Sequence, residues 1–264
     1  MRAETEHTVG IIGGSGLYES GLFSTQQTHR VATPWGAPSA PIEEGSLEGV
    51  RVLFLSRHGP GHTIPAHRVN YRANIDALAQ LGARAILTVN SVGSLREQLS
   101  PGTLVLPEQF VDWTRQRPTT FFDGGRTYHV GMADPFCPVL ERVVAEASQT
   151  LRLDLHRGGT YVCIEGPRFS TRAESRLFRT FADIIGMTLV PECTLARERQ
   201  ICYRPICMVT DYDVWADHPV EAHEVSRVLR ENVRRVRDLL RAAVPRVPAH
   251  RDCPCPRALE GAAL

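Results

Sequence analysis

ICMVTDYDVW, residues 206–215, is an apolar run that stops abruptly on two aspartates with one residue between them. Ile206 to Val209 show no polar alternation, the pattern of a strand whose sheet is covered on both faces. A carboxylate half-buried at the end of such a strand costs free energy unless something useful meets it. Asp211 and Asp213 are therefore read as a pair with a task rather than as surface acids.

The same pattern recurs outward from this stretch. Residues 8–14, 50–59, 83–93, 102–109, 160–167 and 182–188 read as further strands. Between them, 71–82, 138–151, 171–180, 191–199 and above all 221–244 carry apolar residues at helical spacing. The alternation predicts one α/β domain, a central mixed β-sheet flanked by helices, over residues 1–246. A Pro- and Cys-containing tail, 247–264, follows as a surface arm. In such sheets ligands bind beyond the carboxyl ends of the strands. Polar residues collect at those ends: Gly13-Gly14-Ser15-Gly16, Ser56-Arg57-His58-Gly59, Asn90-Ser91, Glu165 to Phe169, Met187-Thr188 and Thr210-Asp211.

Composition removes several classes of chemistry. The formal charge of +1 gives no reason to expect nucleic acid or a membrane surface as partner. No segment reaches the roughly 20 apolar residues of a membrane span. The N-terminus lacks the pattern of a signal peptide, so a cytoplasmic enzyme is the expectation. All 30 basic residues are arginine. Without lysine there is no Walker-A phosphate loop, no Schiff base and no pyridoxal-phosphate anchor. Of the seven cysteines, Cys253 and Cys255 stand apart as CPC in the polar tail. They lack the CxxC or His partners of a zinc motif, so no metal is expected.

The strand-end residues suit an oxyanion. GGSG offers unobstructed backbone N–H groups and the Ser15 hydroxyl, Arg57 a planar bidentate donor, His58 an imidazole, and Ser91 and Thr188 short hydroxyls. Phosphate would be a reactant there, not part of a nucleotide cofactor. Phe169 could stack a flat heteroaromatic ring or be plain core under a helix start. Met187 could floor a sugar.

VGIIGGSGLY, SRHGPGHTIPAHRVNYRANI, VGSLRE, FFDGG, MADPFCP, CIEGPRFSTRAES, GMTLVPE and TDYDVW, in this order, closely resemble the 5′-methylthioadenosine phosphorylases, of the trimeric purine nucleoside phosphorylase superfamily. The likeness spans about residues 8–245. It implies phosphate-dependent cleavage of 5′-methylthioadenosine to adenine and 5-methylthioribose 1-phosphate, with no cofactor beyond phosphate as co-substrate. A broader purine specificity, including adenosine, methylthioinosine or inosine, is the alternative. Carried over residue by residue, the resemblance implies that Ser15, Arg57, His58, Ser91 and Thr188 hold phosphate. Asn90 stands where many members have Thr. Met187 would lie under the ribose, Phe169 and Ser170 against the purine with Thr210, and Val225, Val228 and Leu229 around the 5′ substituent. Asp211 would meet N7 and Asp213 the 6-amino edge. His129 would reach across a subunit interface of a trimer or dimer of trimers. The 6-oxopurine enzymes resemble the same scaffold but carry Glu and Asn in place of Ser170 and Asp211. Gly186 replaces a common Asn in a run one residue short, which could shift Met187 and Thr188. Likeness to the CxC tail of heat-stable archaeal members further implies disulfides, Cys137–Cys207 or Cys202 with the tail.

Overall fold

The structure, a computed structural model, describes residues 7–14, 16–17, 21–215 and 222–263, with the backbone alone for 222–227 and 229–231. Eleven strands form one mixed sheet: β1 (Thr8–Gly13), β2 (Gln27–His29), β3 (Ile42–Leu47), β4 (Val50–Ser56), β5 (Ala85–Ser94), β6 (Leu104–Leu106), β7 (Gln109–Trp113), β8 (Leu155–Arg157), β9 (Thr160–Ile164), β10 (Ile184–Gly186) and β11 (Cys202–Asp211). Among the described residues, five helices cover it: α1 (Tyr71–Gln80), α2 (Pro138–Thr150), α3 (Arg172–Phe178), α4 (Glu192–Glu198) and α5 (Ala222–Ala243).

The strands without polar alternation are the ones buried on both faces. Every residue of β1 is buried, and its side chains split between two cores. Val9 and Ile11 join Val143 and Val144 of α2 and Leu239 and Leu240 of α5. Ile12 joins Ile75 and Leu78 of α1 and Leu195 of α4 on the other face. The period of two along a strand thus feeds both layers. Local signals set the helix ends: Asn70 caps α1 by accepting from the Ala73 N–H, Pro138 opens α2, and Thr171 with Glu174 forms a capping box on α3.

Strand β5 is the hub. It runs parallel to β1 on one side and to β11 on the other, and its end, Gly93-Ser94, pairs antiparallel with β10. A β-bulge between Val209 and Asp211 interrupts the β11 register. Such an extra residue re-aims the side chains after it, and here it turns the end of β11 toward the pocket. The ends of β1, β4, β5, β9, β10 and β11 consequently open on one region.

Four strands fall outside the sequence reading: β2, β3, β7 and β8. IEEGSL in β3 mixes acids and glycine because it belongs to the antiparallel hairpin β3–β4 rather than to the doubly covered centre. The turn Glu48-Gly49, both with positive φ, closes that hairpin. The tail expected as a surface arm is instead packed on the domain. Cys255 is 2% exposed and belongs to the core under α2 and α5, Arg251 Nη1 donates to the Gln200 carbonyl, and Ala263 bridges Tyr128. All seven cysteines are free thiols. The pairing of Cys137 with Cys207 is not supported: Cys137 meets Cys202, Cys253 and Cys255, a group to which Cys207 does not belong.

Candidate functional site

A cavity of about 770 Å3 lies at the shared strand ends. One side is built for an anion. Gly14 and Gly16 after β1, Arg57 and His58 after β4, Ser91 on β5 and Thr188 after β10 all line it. Ser15 lies outside the described residues. Arg57 is 2% exposed and sits in a bidentate ion pair with Glu192 at the start of α4, Nε to Oε2 at 2.7 Å and Nη2 to Oε1 at 2.8 Å. Nη1 donates to the Val89 carbonyl and Nη2 also to Thr88 Oγ1. Of the five guanidinium N–H groups, one on Nη1 is left for a ligand. Burial alone would lower its pKa, but the Glu192 carboxylate holds the guanidinium firmly charged. Glu192 is fully buried and also accepts from Thr88 Oγ1 and the Tyr203 hydroxyl.

Glu192, Thr88 and Tyr203 escaped the sequence reading. Their only signal there is a glutamate beginning a helix directly after the apolar run MTLVP. Asn90, expected beside phosphate, stands directly behind the cavity lining. It is 1% exposed and donates from Nδ2 to Thr188 Oγ1 at 2.8 Å, so it orients a residue that lines the cavity.

His58 is held by a left-handed turn. Gly59 at φ 70° lets the chain double back, and the imidazole stacks on His62 with centroids 4.2 Å apart. Its Nδ1 donates to the Ile64 carbonyl at 2.8 Å, which leaves Nε2 for the cavity. Burial first, then the Arg57 charge, pushes its pKa down to about 4, against the opposing Ile64 carbonyl. The unfolded chain therefore takes up this proton near pH 6.5 while the folded one does not until about pH 4. Stability is expected to fall as pH drops through that window, with His58 alone contributing up to about 3 kcal/mol. Tm measured against pH for the wild type and His58→Gln checks this: the variant should show a clearly shallower decline, and an unchanged decline refutes it.

The opposite side is built for a planar polar ring. Phe169, after β9, is 39% exposed into the cavity beside Ser170, Met187 and Ile185. Ser170 Oγ donates to Asp213 Oδ1 at 2.7 Å. Asp213, 4% exposed and at a positive φ of 49°, keeps its other oxygen, Oδ2, buried without a partner among the described residues. Asp211 accepts from the Asp213 N–H at 2.8 Å and from Thr210 Oγ1 at 2.7 Å. Both bonds favour its charged form, yet burial outweighs them and raises its pKa. A cavity that holds an acid inclined to keep its proton beside an orphaned buried acceptor can give a proton to one ring atom and take a hydrogen bond from a neighbour.

Met187 and Thr188, which follow the shortened run, both line the cavity. Gly186 is required there, since a Cβ would lie 2.0 Å from the hydroxyl of the fully buried Tyr161. The bulkier side chain at 161 occupies the space an asparagine at 186 would need. Val228 is buried but does not line the cavity, and the side chains of Val225 and Leu229 lie outside the described residues. Among the described side chains of α5, Val233 and Val236 line the cavity. His129 is exposed and away from the cavity; its N–H donates to the Ala262 carbonyl.

Residues 8–245 match the family described as the phosphorylase superfamily. The chain belongs to that superfamily. Within it, this phosphorylase is 56% identical over 247 residues to the S-methyl-5′-thioadenosine phosphorylase of Pyrococcus furiosus, covering 94% of this chain and 95% of that one. A methylthioadenosine phosphorylase from an antarctic soil metagenomic library superposes with a TM-score of 0.93 at 42% identity, covering 98% and 93% of the two chains. A variant of the adenosine/methylthioadenosine phosphorylase of Schistosoma mansoni, solved with methylthioadenosine, gives 0.89 at 38% identity, covering 93% of each. No helix among the described residues is long and apolar enough to cross a membrane.

Proposed function

We propose that the cavity holds orthophosphate and S-methyl-5′-thioadenosine side by side, and that the phosphorylase cleaves the nucleoside to adenine and 5-methylthioribose 1-phosphate. The observation that carries this reading is the orphaned Oδ2 of Asp213 next to Asp211, whose pKa burial raises, facing an anion site across one cavity.

In this reading Gly14, Ser15, Gly16, Ser91 and Thr188 bind phosphate, with the remaining Nη1 hydrogen of Arg57 and His58 Nε2 beside them. A phosphate oxygen attacks C1′ and the C1′–N9 bond breaks, its electron pair passing to the purine. The sugar becomes oxocarbenium-like, and the adjacent phosphate charge stabilises it before the new bond forms. Asp211 protonates N7 of the leaving adenine. Asp213, fixed by Ser170, accepts from the 6-amino group, which satisfies an acceptor that is otherwise buried without a partner. Phe169 stacks the base, Met187 floors the ribose, and Val233 and Val236 face the 5′-methylthio group. Thr210 orients Asp211 through its hydroxyl. The reaction needs no metal or organic cofactor.

His129, exposed on this subunit and remote from its own cavity, supports a trimer in which it completes a neighbour's 5′ pocket; a dimer of trimers would keep the same contact. A cytoplasmic enzyme of purine and methionine salvage follows from this substrate.

The test compares kcat/KM for methylthioadenosine, adenosine, methylthioinosine and inosine with phosphate in excess and with phosphate omitted. Methylthioadenosine should rank first and inosine last, with turnover absent when phosphate is omitted. A site that hydrogen-bonds a 6-amino group rejects the 6-oxo analogue by leaving buried polar groups unpaired. Adenine release without phosphate would make the protein a hydrolase, and comparable rates for inosine would point to the broader purine specificity.

A further inference from the structure

Four cysteines from three distant parts of the chain come together on the side of the sheet covered by α2 and α5. Cys137 precedes α2, Cys202 begins β11, and Cys253 and Cys255 are the CPC of the tail. Their four Sγ atoms all lie within 4.8 Å of one another, and those of Cys202 and Cys253 are 3.4 Å apart. Three of the four residues are buried. We propose that these four thiolates form a tetrahedral structural metal site that takes one zinc ion and pins the C-terminal tail to the domain.

The geometry is close to what zinc requires. Zn–S bonds of about 2.3 Å in a tetrahedron place neighbouring sulfurs about 3.8 Å apart, so the widest pair needs to close by about 1 Å. All-sulfur tetrahedral sets favour soft or borderline ions, zinc foremost among those without redox chemistry. Each ligand gives up its thiol proton on binding, and the loaded centre carries a net charge of −2.

The surroundings suit that charge. Cys137 is the N-cap residue of α2, and a helix N-terminus favours nearby negative charge. Arg204, two residues beyond Cys202, is 2% exposed, yet its Nε and Nη2 have no hydrogen-bond partner among the described residues. Its one carboxylate neighbour, Glu141, stands 3.7 Å away, and its charge interacts with the Cys137 and Cys207 sulfurs. A buried guanidinium so weakly paired is costly; a dianionic metal centre beside it supplies the missing counter-charge. The CPC spacing gave no zinc motif in the sequence because two of the ligands are contributed by residues 137 and 202.

Metal analysis of the full-length protein purified under reducing conditions tests this. One zinc per chain is expected, with release by a mercurial as the thiols titrate and a tetrahedral thiolate spectrum after Co2+ replacement. The double variant Cys253→Ser/Cys255→Ser should lose the zinc, lower Tm and keep kcat/KM, while Cys193→Ser keeps the zinc. Should the double variant fail to fold, the wild-type zinc content and Co2+ spectrum decide alone. Less than a tenth of a zinc per chain after reduction and exposure to Zn2+ overturns the proposal. So does a count of three rather than seven free thiols in denaturant without reductant, which would mean that the four are two disulfides.

Discussion

Asp211→Asn is expected to lower kcat/KM for methylthioadenosine by about 10²–10⁴-fold, the range for loss of a positioned proton donor. That loss corresponds to roughly 3–5 kcal/mol of transition-state stabilisation. Asparagine keeps the size of the side chain, but its single oxygen can replace only one of the two acceptors that hold the carboxyl in place, Oδ2 toward Thr210 Oγ1 and Oδ1 toward the Asp213 N–H. It cannot transfer a proton to N7, so the purine would have to leave as an anion. The same exchange places an amide donor beside N7 and the adjoining position 6 of the base. Methylthioinosine, whose 6-oxo group needs a donor, should therefore lose much less, and the ratio of its kcat/KM to that of methylthioadenosine should rise by at least tenfold. Kinetics of both substrates with excess phosphate check this. Equal losses for the two would show that Asp211 shapes the bulge at the end of β11 without touching the base.

Glu192→Gln is the substitution expected to cost most stability. Arg57 and Glu192 are 2% and 0% exposed, and removing one charge of such a pair leaves the other buried and uncompensated. The typical cost is about 3–5 kcal/mol, which for a domain of this size is a fall in Tm of roughly 6–20 °C. Glutamine preserves the contacts to Thr88 and Tyr203 in outline, so the loss reads the charge and not a cavity. Orthophosphate should then take over part of the role of counter-ion to Arg57. The Tm gained on adding saturating phosphate should be larger for the variant than for the wild type, as linkage demands of a ligand that binds the folded form more tightly. Thermal melts with and without phosphate would reveal it. A variant as stable as the parent would mean that the pair contributes little beyond its hydrogen bonds.

These two residues also mark how far the sequence could be read. Asp211 and Asp213 stood out because acids at the end of an apolar run are improbable without a purpose, and the central strands and all five helices follow from the same periodicity. Glu192 did not stand out. It begins a short helix, where an acid is ordinary, and only the fold carries Arg57, 135 residues away, to meet it. Asn90 drew attention as the neighbour of Ser91, but its bond to Thr188 Oγ1, 98 residues away, is visible only in the fold. The edge strand β2 and its neighbour β3 were invisible because they lack the continuous apolar run of the covered centre. In the tail, polar composition concealed Cys255, whose burial depends on partners far away in the chain.

The two halves of the cavity are suspended differently, and that difference bears on how such an enzyme can change over evolutionary time. The groups proposed for phosphate and base hang from strand ends, and β5 among them is gripped on both edges by β1, β10 and β11. The wall proposed for the 5′ substituent comes from one helix, through Val233 and Val236. Mutations on that helix can reshape what is tolerated at 5′ while bond cleavage stays under the same geometric constraint. Lineages built on this architecture can thus acquire new nucleosides without reinventing the reaction.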